Sequence, residues 1–99
     1  MGRFVRIFPV GRPRAYRWQG VYDWLEGNQH KSWKLWHKSL DYAQKLQMPH
    51  DEGWAYYEMA AHLPDDDPKR REYLCKAADI FQRLDSVWDY EQTQKLLKG

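Results

Sequence analysis

With 99 residues, 42% of them hydrophobic and six of them tryptophan, the chain is one small domain that buries roughly two-thirds of its unfolded surface, which excludes wholesale disorder. A formal net charge of +2 is too small to argue by itself for nucleic acid or a membrane surface. No stretch approaches the roughly eighteen apolar residues of a membrane span, and the single cysteine, Cys75, excludes an internal disulfide and fits a reducing, cytoplasmic setting.

The charge is unevenly placed. Arg3, Arg6, Arg12, Arg14 and Arg17 give the first seventeen residues +5 with no acid, and the remainder carries eleven bases against fourteen acids. Residues 1–12 therefore read as a basic extended arm, punctuated by Pro9 and Gly11, on a mildly acidic helical body spanning 13–99. Met1–Val10 is too short and too interrupted by charge for a secretory signal.

The first helix is expected from about Pro13, a favourable first-turn residue, to Glu26. Trp18, Val21, Tyr22 and Leu25 lie at helical spacing, and Gly27-Asn28 supplies the stop. The second helix covers about Gln29–Gln47, with Trp33, Trp36, Leu40 and Ala43 in one stripe and Lys31, Lys34, Lys38, Asp41 and Lys45 on the wet side. Met48-Pro49 ends it, because proline disfavours helix at the residue before it. The third helix, about His50–Leu63, places Tyr56, Met59, Ala60 and Leu63 on one face and Trp54, Tyr57 and Ala61 on another.

Pro64–Pro68 is a loop, and Asp67 as N-cap before Pro68 starts the fourth helix, which is expected to bury Leu74, Ala77, Phe81 and Leu84. Ser86 and Asp89 have the spacing of a capping box for the last helix, about Val87–Leu97, with Val87, Trp88, Tyr90, Leu96 and Leu97 to bury. Helices joined by loops this short are antiparallel neighbours, so the chain is all-α: two helical hairpins and a closing helix, stacked as a short solenoid.

Catalytic motifs are absent from the pattern. No glycine-rich run ends in Gly-Lys-Ser/Thr, so no phosphate loop is present. His30 and His37 stand about 10 Å apart along a helix, too far to share one ion, and His50 and His62 read as surface or boundary residues. Asp65–Asp67 lacks the glycine and distal glutamate of a calcium loop. Cys75, beside Leu74, reads as a buried small apolar residue. No cofactor and no metal are expected.

Aromatic content is the anomaly, with sixteen Trp, Tyr and Phe side chains. Trp36, Tyr56 and Phe81 occupy positions a core explains. Trp24, Trp54 and Tyr57 fall on the inner face of the first helices of each pair, with Arg14 and Arg17 on the same side. Aromatic and arginine side chains contribute most binding energy at protein interfaces. The expected partner groove is therefore Arg14, Arg17, Val21, Trp24, Trp54, Tyr57 and Ala61. The competing reading packs these rings between neighbouring helix pairs or under the N-terminal arm.

The repeated units resemble the tetratricopeptide pattern. Gly20 and Ala60 take its small position, Tyr16 and Tyr56 its large aromatic one, and Gly27 its turn. Ser32 with Ala77 and Trp36 with Phe81 take the corresponding positions of the second helices. Asp23 departs from the pattern, standing where a large residue is usual. The connected segments Phe8–Ala15, Gly20–Leu25, Trp36–Leu40, Ala43–Pro49, Glu58–Leu63 and Ala78–Leu84 are similar to the C-terminal repeat region of bacterial signalling proteins that join a nucleotide cyclase or protein kinase domain to an AAA-type ATPase. That family prefers Gly-Arg before the His-Leu pair, where this chain has Ala60-Ala61. The resemblance implies a non-catalytic helical-repeat tail that binds a protein partner or a second copy of itself. Nucleic-acid binding through the arginine arm is the second reading, and no membrane contact is expected.

Overall fold

The computed structural model describes residues 12–98, in which five helices and no strand occur. They are α1 (Arg12–Leu25), α2 (Gln29–Lys45), α3 (Pro49–Ala61), α4 (Pro68–Arg83) and α5 (Val87–Lys98). The basic arm, with Arg3 and Arg6, lies outside the described residues.

The helix ends follow local rules. Asp67 caps α4 by accepting a hydrogen bond from the Lys69 N–H at 2.9 Å, with Pro68 in the first turn. α1, α2 and α4 all end in one turn geometry. The N–H groups of Asn28, Met48 and Ser86 reach the carbonyls five residues back, on Asp23, Ala43 and Phe81, at 2.8, 2.8 and 2.9 Å. The preceding residues adopt positive φ: Gly27 at 88°, Gln47 at 54° and Asp85 at 56°. This is the Schellman termination, in which a left-handed residue folds the chain back to satisfy orphan carbonyls. α3 ends otherwise, with the His62 and Leu63 N–H groups bonding three residues back to Met59 and Ala60.

Three α2 side chains tie the first hairpin together. Ser32 Oγ donates to the Gly20 carbonyl (2.7 Å), Trp36 Nε1 to that of Arg17 (3.2 Å) and Ser39 Oγ to that of Pro13 (2.6 Å). They succeed one another at helical spacing, so α2 lies antiparallel on α1 in fixed register. The approach requires glycine at position 20, where a Cβ would fall 2.4 Å from Trp36 Nε1. Gly53 admits a close approach of its own in the second hairpin, at a different register, where a Cβ would fall 2.7 Å from Phe81 Cε1.

In that second hairpin Arg70 donates to the Ala60 carbonyl at 3.0 Å, as Ser32 does to Gly20. The Gly20 and Ala60 carbonyls thus each accept from a side chain of the next helix. The second helices, however, correspond differently from expectation. Ser32 matches Arg70 and Trp36 matches Leu74, the same 38-residue shift that relates the turns at Gln47 and Asp85. Ala77 and Phe81 instead correspond to the buried Ser39 and Ala43.

Each helix packs on its sequence neighbour across α1–α2, α2–α3, α3–α4 and α4–α5, and α1 also packs on α3. Contacts between alternate helices put α1, α3 and α5 in one layer, with α2 and α4 behind. The centre is Trp36, Tyr56, Met59, Ala77, Ile80 and Phe81.

Several burial expectations are corrected. α1 turns Trp18, Tyr22 and Leu25 outward and buries Pro13, Arg17, Gly20 and Asp23, because Gly20 must face Trp36. Leu84, Val87 and Trp88 are exposed, since the turn at Asp85 carries them past the last layer, and Thr93 is the buried residue of α5. Cys75 is exposed, because Leu74 takes the inward position one step earlier on the helix. Asp89 joins His50 instead of forming the capping box with Ser86.

Candidate functional site

α1, α3 and α5 line up a strip of side chains across their shared layer. Arg17 belongs to the buried face of α1 and is only 8% exposed. Its guanidinium lies over the Trp18 ring at 5.2 Å and over the Trp54 ring at 5.5 Å, joining α1 to α3. Trp54 in turn contacts Trp88 of α5, with ring centroids 6.3 Å apart, and Tyr57 one turn along α3, at 4.8 Å. The order Trp18, Arg17, Trp54, Trp88 crosses three helices. Its two end rings are 58% and 63% exposed, and its centre is sheltered.

Electrostatics make the centre of this strip unusual. Arg17 Nε has no hydrogen-bond partner among the described residues. Burial pulls the Arg17 pKa down, with nearby Glu58 and Asp51 opposing it. Burial likewise pushes the Glu58 carboxyl above its ordinary range, with Arg17 and His62 pulling it back. A buried cation faced by carboxylates without a direct hydrogen bond is expensive in a fold, since partnering is what offsets its desolvation. Burial also raises the Tyr57 hydroxyl pKa, and Glu58 adds to that effect.

Charged residues flank the strip. Arg14 Nε approaches Asp51 Oδ1 at 3.8 Å, linking α1 to α3 from the exposed side. His50 Nε2 donates to Asp89 Oδ2 at 2.6 Å, fixing the start of α5 against the start of α3.

Of the residues expected to form a groove, Arg14, Arg17, Trp54 and Tyr57 come together here. Trp24 does not join them. It lies within 6.4 Å of Trp33 and 5.8 Å of Trp36, and its edge meets His62 at 4.7 Å, so it belongs to a second aromatic cluster that seals α1 and α2 onto the end of α3. His62 also faces Trp36 at 4.6 Å, and its Nδ1 donates to the Glu58 carbonyl at 2.8 Å. Val21 packs on the core cluster, and Ala61 is exposed at the end of α3.

Sequence reasoning missed Trp18, Trp88, Asp51 and Glu58. The repeated turn at Met48-Pro49 and Ser86-Val87 was the available signal for Trp88, because it aligns α5 with α3 and puts Trp88 at the position of His50. Among the described residues no group of three His, Cys, Asp or Glu side chains is placed to hold a metal ion. No described helix is long and apolar enough to cross a membrane. No protein-family model matches this chain, no curated protein resembles it in sequence, and no solved structure matches it.

Proposed function

We propose that this chain is a non-catalytic interaction module whose α1–α3–α5 face binds a protein partner or a second copy of itself. The observation that supports this reading is the strip Trp18–Arg17–Trp54–Trp88, which offers two large exposed rings around a sheltered arginine. Arg17 is held at the centre of the strip with its Nε buried and without a hydrogen-bond partner among the described residues, an arrangement from which folding gains little. Interfaces draw most of their binding energy from such Trp and Arg anchors ringed by near-neutral contacts.

The same reading treats the chain as a tetratricopeptide-like tail related to those of cyclase- or kinase-linked ATPases and acting in cytoplasmic signalling. The likeness rests on Gly20 and Ala60, whose carbonyls accept from Ser32 and Arg70, and on Tyr16 and Tyr56, each packed on a tyrosine of its hairpin partner helix.

Sedimentation of the pure protein over a concentration range, with capture by the tagged chain, tests the reading. Trp18→Ala with Trp88→Ala should abolish self-association or capture while leaving the helical circular dichroism unchanged. Undiminished association in that double variant refutes it.

A further inference from the structure

The opposite layer carries a second surface of different chemistry. From Gln29 to Leu40, α2 contains Lys31, Lys34 and Lys38 and no acid, and its first acid, Asp41, is paired with Lys45 at 3.1 Å. Lys31 and Lys34 are exposed and make no ion pair among the described residues, while Lys38 Nζ lies 5.4 Å from the centre of the Tyr16 ring. α4 is also basic, but Lys76, Arg83 and Arg70 are paired with Glu72, Asp79 and Asp65 at 3.4, 3.1 and 3.7 Å. α3, in the other layer, holds three acids and no Lys or Arg. Lys69 and Arg71 of α4 and Lys95 and Lys98 of α5 are likewise exposed and without an ion pair among the described residues, but on α2 three such lysines share one helix face.

Aromatic planes lie among these lysines. His30, Trp33, Lys34, His37, Lys38 and Asp41 line a shallow open groove along the helix, and the Trp33 and His37 rings stand 6.5 Å apart. Trp33 is held from behind by Trp36 and Trp24, at 5.2 and 6.4 Å, so its position is fixed before any ligand arrives.

We propose that this face of α2 binds single-stranded nucleic acid, with Lys31, Lys34 and Lys38 on successive phosphates and Trp33 and His37 offering planes to the bases. A cationic track beside fixed aromatic rings is how sequence-tolerant single-strand binding is built. The three lysines span seven residues of helix, about 10 Å of rise, which matches about three stacked nucleotides. Rings fixed between lysines at helical spacing match bases joined by phosphates. This surface is separate from the α1–α3–α5 strip, and the two readings stand or fall independently.

Fluorescence anisotropy of a labelled short oligothymidylate, titrated with the full chain, tests the proposal. Three phosphate contacts give a log–log salt slope of about −2, so affinity should fall about a hundredfold between about 20 and about 200 mM salt. The K31E/K34E/K38E variant should lose binding at least tenfold, and K95E/K98E on α5 should not. An abasic oligomer of equal length should bind at least tenfold more weakly than the thymidylate. No anisotropy change at low salt overturns the proposal, and so does equal binding by the α2 variant, which would move the contact to other basic residues. Equal binding of the abasic oligomer, or preference for phosphatidylserine vesicles over the oligonucleotide, overturns it in favour of a generic anionic surface.

Discussion

Substituting Gly20 by alanine tests how the first hairpin is held. The new methyl would lie 2.4 Å from Trp36 Nε1 and 2.7 Å from Cδ1, about 1 Å inside ordinary contact. Trp36 is fully buried and its Nε1 is committed to the Arg17 carbonyl, so the ring cannot withdraw without losing that hydrogen bond. Overpacking of this kind costs about 1–3 kcal/mol, and leaving the indole N–H unpaired costs about 1–3 kcal/mol. Alanine returns about 1 kcal/mol over glycine in a helix interior. The net destabilisation is about 1–5 kcal/mol, which for a domain of this size lowers Tm by about 4–40 °C. Thermal and urea unfolding followed by circular dichroism read the loss. Trp36→Phe removes the pyrrole edge that the methyl meets, so the double variant G20A/W36F should be more stable than the sum of the single losses predicts, by at least about 1 kcal/mol. A G20A variant as stable as the parent, or strict additivity in the double variant, refutes the idea that this contact sets the helix spacing.

The repeated turn gives a prediction of opposite sign. Gln47 and Asp85 hold positive φ without being glycine, so Q47G and D85G should each raise stability by about 0.5–1 kcal/mol, read as a rise of a few degrees in Tm. The two aromatic clusters should respond differently to truncation. Trp24→Ala opens the seal over Trp36 and His62 and should cost about 2–4 kcal/mol, whereas Trp88→Ala on the exposed end of the strip should cost under about 1 kcal/mol. Glu58 makes the fold pH-sensitive. Its folded-state pKa is raised above the ordinary 4.5, so its penalty is absent below that value and grows as pH rises through the raised one. Glu58→Gln should therefore gain stability relative to the parent as pH climbs from about 4 to about 7 in urea titrations. A difference that stays flat or reverses would remove the buried-carboxylate account.

The helices and their order were legible because their signals are local. Prolines at 49 and 68, the Asp67 cap and the glycine at 27 need no tertiary information. The stripe of α2 was legible for the same reason, since Trp36 and Ala43 are inward on any helix with that spacing. α1 was misread at Trp18, Tyr22 and Leu25 because its buried face is made of Pro13, Arg17, Gly20 and Asp23, which look polar or small until Trp36 is placed against them. The second-helix register was misread because the cue is which carbonyl Ser32 and Arg70 reach, and residue similarity instead matched Phe81 to Trp36. At the candidate site, Arg14, Arg17, Trp54 and Tyr57 could be grouped from helical periodicity within α1 and α3. Trp88 could not, because its neighbour Trp54 is 34 positions away and only packing of alternate helices unites them.

The central claim is that the strip from Trp18 to Trp88 is where a protein binds. The most direct measurement is the dissociation constant for self-association, or for the captured partner, in W18A/W88A against the parent chain. Two anchors of this kind should together weaken binding by more than about thirtyfold, about 2 kcal/mol, with Tm changed by only a few degrees. An unchanged dissociation constant in a folded double variant contradicts the account.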